Sequence, residues 1–238
     1  MRTPDHRIGD RPGLGFTLIE LLTVIAIIGV LAGLLVGLAP TAARKMKESR
    51  IKSELAQLIL AVESYKAEVG YYPPDNPRVT SPGVTNYAVN QLFYELTGTV
   101  VTNVQVATAT RYSTVNGLST LQSSDINSAF GTPGFVNVSE DPKAVRNFLH
   151  SLRERQFKEV KLPNSPRPVL LLVVPVDLPR GVTAAPTLPA QVNPWRYNSS
   201  TPVHNPGRFD LWAEVPVWVR TNVTQFVMRT NIIGNWKD

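Results

Sequence analysis

The chain has no cysteine and only three histidines among its 238 residues. The first absence excludes disulfides and thiolate metal sites and leaves stability to core packing or to a metal ion held by other ligands. The second leaves His150 and His204 too few and too scattered for a histidine metal site. Acidic residues are missing from 216–230. No nucleic-acid-binding motif appears, although the formal net charge is +6, and no aromatics are interleaved with the basic cluster 44–52. Gly13-Leu-Gly15 lacks the third glycine of a dinucleotide fingerprint. Ser49-Arg-Ile-Lys52 has the spacing of a serine–lysine pair but falls on an exposed helical turn. No catalytic residue is expected, and the chain does not read as an enzyme.

The most telling absence is charge between Phe16 and Ala43, where Glu20 is the only ionisable side chain before Arg44. From Phe16 the apolar run lasts about 24 residues, and about 20 suffice to cross a bilayer as a helix. The expected span is 16–39. A secretory signal cut after Ala43 would need an apolar core of about 7–15 residues, far shorter than this one. A carboxylate at a hydrocarbon helix centre costs ~2.5–3.5 kcal/mol, so Glu20 needs a partner. Gly29, Gly33 and Gly37 repeat on one face, where small residues let membrane helices approach closely. Pro40 removes the amide that would bond to Val36, predicting a kink or local melting over 36–40.

Beyond Arg44 the pattern turns amphipathic. Ile51, Leu55, Leu58, Ile59, Val62, Tyr65 and Val69 fall on one face of a helix, with Lys52, Glu54, Gln57, Lys66 and Glu68 on the others. Val69-Gly70 and Pro73-Pro74 supply the stop. One helix over 16–69 would be roughly 80 Å long. Residues 70–238 read as a mixed, proline-punctuated domain. Asn86–Thr97 is expected as a short helix ended by Gly98, and 99–137 as irregular or weakly stranded. Asp141-Pro142 is expected to open a helix to about Phe157. Pro168–Val176 reads as a buried strand and 177–206 as a long loop. Phe209–Val215, Val217–Arg220 and Gln225–Ile233 read as antiparallel strands turning near Asn222. The four tryptophans (195, 212, 218, 236) read as core. The fold class is therefore α+β, a long N-terminal helix packed on a C-terminal antiparallel sheet.

A short polar leader, Gly15, then Phe16-Thr-Leu-Ile-Glu20 running into an apolar helix resembles the signal of the type IV pilin-like prepilins. Tyr65-Lys-Ala-Glu-Val-Gly-Tyr-Tyr-Pro-Pro74 is similar to the helix end of the major (G-type) pseudopilins of type II secretion. Asn193-Pro-Trp-Arg-Tyr197 resembles their Asp-Pro-Trp-Gly…Tyr turn, with Asn for Asp and no glycine. Phe209-Asp-Leu-Trp212 and Ile233-Gly-Asn-Trp236 resemble their Tyr-Asp-Leu strand and Ile-Gly-Asn-Trp terminus. These stretches cover about a third of the chain in the family's order.

The resemblance implies a pilin-like fold with a leader at 1–15, a long helix at 16–69 and a periplasmic globular domain at 70–238. It implies cleavage between Gly15 and Phe16 by a prepilin peptidase, with N-methylation of Phe16. Leu14, where relatives carry Lys or Arg, would slow that cut. Glu20 would meet the Phe16 ammonium of a neighbouring subunit, so the partners are sister copies, an inner-membrane assembly platform and minor pseudopilins. The chain would be a single-pass inner-membrane protein with its leader cytoplasmic. Arg44, Lys45, Lys47, Arg50 and Lys52 argue the opposite orientation by the positive-inside rule; they would also meet anionic headgroups or acidic neighbours. Family members often hold calcium in the loop before the last strand. Calcium wants six to eight oxygens, and Asp210 and Glu214 are the only acids near, so no cofactor is expected and Asp210 stands as a weak calcium candidate. The expected function is a structural subunit of a secretion pseudopilus or pilus-like filament. The alternatives are a membrane-anchored periplasmic binding domain that never polymerises and a tethered hydrolase, for which no nucleophile–base pair is found.

Overall fold

The computed structural model describes residues 16–76, 79–81, 84–103, 110–163, 165–222 and 225–236, with the backbone alone described at 34–41, 79–81, 84–85, 103, 220 and 226. The chain divides into two compact units, Met1–Met46 and Lys47–Asp238. Helix α1 runs Leu18–Val69. It continues through Pro40, so the local melting expected there does not occur. In the first unit every described side chain of 16–33 is exposed, including Phe16 (84%) and Leu18 (81%). Among the described residues no helix is long and apolar enough to cross a membrane. The expected span continues past residue 33 into 34–41, whose side chains lie outside that description.

In the second unit, α1 buries Ile51, Leu55, Leu58, Val62 and Tyr65, with Ile59 and Val69 packed at the margin. Each such side chain contributes ~1.5–3 kcal/mol. Glu54 corrects the expected polar face: it is only 6% exposed, because it lies between Ile51 and Leu58 on the same stripe. Gly70, at φ 96, ends the helix, its N–H bonding to Lys66 O at 2.8 Å.

The remaining elements are β1 (Val79–Ser81), β2 (Val84–Thr85), α2 (Leu92–Thr97), β3 (Thr99–Asn103), β4 (Thr110–Thr114), β5 (Thr120–Gln122) and α3 (Ser123–Phe130). Then follow β6 (Val138–Ser139), a 3-10 turn (Glu154–Gln156), β7 (Phe157–Val160), β8 (Val169–Leu172), β9 (Arg196–Asn198), β10 (Asp210–Arg220) and β11 (Phe226–Gly234). Strand orders are β1-β2, β5-β4-β3-β6, β7-β8 and β11-β10-β9. The fold is thus α+β, with a helical N-terminal part and a C-terminal antiparallel sheet. The β10–β11 pairing, from Trp212 opposite Gly234 to Arg220 opposite Phe226, matches the expected hairpin.

Several expectations are corrected. No helix spans 141–157; Asp141 Oδ1 accepts the Lys143 N–H at 2.9 Å and Asn147 Oδ1 that of Leu149 at 2.8 Å. Such local side-chain bonds compete with helical ones. The same chemistry delays α2 to Leu92, since Asn86 and Asn90 accept the N–H groups of Val89 and Leu92. Gly98, at φ 80, then turns the chain where a Cβ would sit 2.7 Å from Arg146 O. Among the described residues of 99–137, expected as irregular or weakly stranded, β3, β4 and β5 are short strands and α3 is a helix that was not expected. The loop 177–206 contains β9. Strand β8 pairs with β7, not with the hairpin; the Val173–Pro194 bridge joins the residue after β8 to the chain just before β9. Trp195 is core (1% exposed), whereas Trp218 is 62% exposed.

Candidate processing and assembly site

Gly15 lies outside the described residues. Phe16 and Thr17 precede α1, and Thr17 is its N-cap. Thr17 N–H and Oγ1 both donate to Glu20 Oε2, at 2.8 and 2.7 Å, while Glu20 N–H donates to Thr17 Oγ1 at 3.3 Å. This is a reciprocal capping box, two orphan donors of the first turn satisfied by each other's residues. It is legible in Thr17-Leu-Ile-Glu20 as S/T-x-x-E, a signal the sequence reading missed. The box uses one carboxylate oxygen, and Oε1 takes no part in it. At Gly29 and Gly33 an added Cβ would meet nothing within 4 Å among the described residues. Gly37 lies in the stretch described by backbone alone.

In the second unit the four motif stretches converge. The Tyr72 and Phe209 rings lie 5.0 Å apart, and Tyr197 and Phe209 5.9 Å. Tyr197 OH donates to Pro73 O at 2.9 Å. Asn193 Nδ2 donates to Val176 O and Glu214 O. Asn235 Nδ2 donates to Phe209 O at 2.9 Å, and Leu211 N–H returns a bond to Asn235 Oδ1 at 3.0 Å. Tyr65 OH donates to Glu95 Oε2 at 2.9 Å, and Val136 and Asn137 N–H groups also donate to that carboxylate. Burial raises the Glu95 pKa, and the two backbone bonds followed by Tyr65 pull it back. Asp75 pins the other side, its Oδ2 accepting Ser199 N–H, Ser200 N–H and Ser200 Oγ.

Asp210 is 2% exposed and its carboxylate is already filled. Oδ2 accepts the Val203 and His204 N–H groups at 2.6 and 2.9 Å; Oδ1 accepts Asn205 N–H and Nδ2 at 2.9 and 3.0 Å. Asn205 Nδ2 also reaches Asn235 Oδ1 at 3.1 Å. A calcium ion needs oxygen lone pairs turned toward it; here the positive ends of N–H dipoles occupy that direction. The donor set does not fit the cation. Among the described residues no group of three His, Cys, Asp or Glu could hold a metal. His204 stacks on Trp236 with centroids 3.9 Å apart, while His150 lies in the 145–153 segment. Lys52 Nζ is held by Glu48 Oε1 at 2.7 Å.

No protein-family model, curated protein or solved structure matches this chain.

Proposed function

We propose that the chain is a prepilin-type subunit, cut after Gly15 by a prepilin peptidase, methylated on Phe16 and polymerised from the inner membrane into a pseudopilus or pilus-like filament. The observation that carries this reading is the N-terminal end of α1. A helix that is apolar all round and exposed, as 16–33 is, has to be covered by lipid or by other helices. Its one carboxylate sits at the first turn with Oε2 used by Thr17 and Oε1 available to a neighbour's ammonium. The convergence of the four motif stretches around Phe209 supports the pseudopilin comparison, since residues far apart in sequence serve one packing unit. A pair formed between Glu20 and a neighbouring Phe16 amine would offset the desolvation of both only when made, which sets register during assembly. The globular unit would lie in the periplasm.

Intact-mass and N-terminal peptide analysis of membrane-extracted protein tests the reading. The expected product begins at Phe16 and carries one methyl group. An unmodified Met1 start in cells with an active prepilin peptidase would refute it and favour the anchored, non-polymerising domain.

A further inference from the structure

The hairpin of β10 and β11 runs on past its support. Among the described residues β9 pairs only with Asp210, Leu211 and Trp212 of β10, and no apolar side chain from Val217 to Ile232 joins the core or packs on it. From Pro216 to Arg220 the hairpin is therefore a two-stranded ribbon about 17 Å long, at ~3.4 Å per residue. Such a ribbon is marginally stable in water by itself. Pairing sets Trp218 opposite Met228 and Val219 opposite Val227. Successive residues of a strand face opposite ways, so the first pair lies on one face and the second on the other. Trp218, Val227, Met228 and Ile232 are all exposed. Both faces near the tip thus turn apolar side chains to solvent. The charge is one-sided as well: no acid stands between Glu214 and Asp238, while Arg220 and Arg229 lie in the ribbon. The turn closes on itself, with Thr221 N–H and Oγ1 donating to Gln225 O at 3.0 and 3.2 Å and Asn222 Nδ2 to Gln225 Oε1 at 3.3 Å.

We propose that the tip of this hairpin docks into the headgroup layer of an anionic lipid bilayer, with Trp218, Val227 and Met228 immersed and Arg229 beside lipid phosphates. A bilayer interface covers both faces of a narrow ribbon at once, whereas a partner strand covers one edge and a partner sheet one face. Protein interfaces take about 20–30 residues a side, more than the whole ribbon 216–230 holds. The acid-free, arginine-bearing tip complements anionic headgroups, and tryptophan favours that layer. The unpaired outer edges of the ribbon limit the depth to where water still reaches them. The site lies in the 47–238 unit and needs neither the Gly15 cut nor Glu20, so it stands apart from the filament reading.

The test holds the full chain in discs of phosphatidylcholine, which cover its apolar 16–33 stretch, and adds separate vesicles of phosphatidylcholine with or without phosphatidylglycerol. The chain has no cysteine, so a nitroxide on Val227→Cys reports this position alone. The discs should sediment with the anionic vesicles and bind the neutral ones about tenfold more weakly. On binding, the nitroxide should gain access to oxygen and lose access to a water-soluble nickel chelate. Trp218→Ser should weaken binding about tenfold and Arg229→Gln about fivefold, both with the wild-type melting temperature because the sites are exposed. Binding unchanged in Trp218→Ser would assign the attachment to the basic cluster 44–52 and overturn the proposal. So would equal binding of both vesicle types, no binding, a nitroxide still open to nickel, or discs joined in pairs through the hairpin, which would make the occupant a second copy.

Discussion

Replacing Asp210 by Asn tests whether the C-terminal loop is held by the protein's own donors rather than by a cation. Asn offers one oxygen and one NH2 group where Asp offers two oxygens. Whichever way it turns, two of the four N–H groups from Val203, His204 and Asn205 face another donor. Bonds to a charged acceptor are worth ~1.5–3 kcal/mol each. His204 is exposed, so the segment can partly rehydrate, and the expected loss is ~3–4 kcal/mol, the lower part of the summed range of ~3–6 kcal/mol. For a unit of this size each kcal/mol moves Tm by ~2–4 °C, giving a fall of ~5–15 °C. Thermal unfolding of the full chain in detergent, followed by near-ultraviolet circular dichroism from the Trp212–Trp236 pair, reads it directly. The wild type should melt at the same temperature in EDTA and in millimolar calcium. An unchanged Tm for Asp210→Asn, or a wild-type Tm raised by calcium, would refute the assignment.

Four further outcomes are expected. Leu58→Ala, at a site 5% exposed, should cost ~2–5 kcal/mol, whereas Lys52→Ala, on an exposed turn, should fall within about 0.5 kcal/mol in the same melts. Tyr65→Phe removes one donor from the buried Glu95 carboxylate and should cost ~1.5–3 kcal/mol; no change would mean that the bond is not formed in solution. Burial raises the Glu54 pKa, so the folded chain keeps that proton to higher pH than the unfolded chain. This stabilising contribution is complete below the unfolded value of about 4.3 and is lost as pH rises through the folded value. Glu54→Gln should therefore melt higher than wild type near pH 8, with the gap closing toward about pH 4; a pH-independent difference would contradict the burial argument. Glu20→Gln keeps a capping acceptor but not the charge, so membrane insertion and cleavage should survive while filaments, scored by electron microscopy of sheared cells, are lost as in Glu20→Ala. Normal filaments from Glu20→Gln would leave this residue a cap alone.

The parts of the fold that were legible in sequence are those where one periodicity ran long enough to dominate. The stripe from Ile51 to Tyr65 and the alternation along β10 and β11 each bury one side of a regular element, so position in the chain dictates position in the core. The two misplaced helices share one cause. At Asn86, Asn90, Asp141 and Asn147 a short polar side chain captures a backbone N–H two or three residues on. The Asp141-Pro142 start that reads as a helix opening is equally a turn. The tertiary bond from Phe148 N–H to Leu96 O, at 2.7 Å, also favours the turn, and no local window contains it. The short strands β3, β4 and β5 gave no alternating apolar signal because Thr and Ser fill their positions. They are fixed by pairing with each other, which no local window contains.

The same distinction separates the two acidic positions that the sequence singled out. Both Glu20 and Asp210 were read through the partners a resemblance supplies, a neighbour's ammonium and a calcium ion. Each has protein donors of its own. For Asp210 those donors consume both oxygens from within a seven-residue span, so the carboxylate's role is complete inside the chain and an external cation has nothing to add. For Glu20 the donors consume one. Its remaining oxygen stands on an exposed apolar helix, where an unpaired charge is costly in hydrocarbon. The cap orients the carboxylate at the first turn, beside the residue that cleavage would make the new N-terminus. The capping role and the inter-subunit role are therefore compatible. The first fixes where the charge points, and the second, if filaments form as proposed, would account for a charge where glutamine would cap as well.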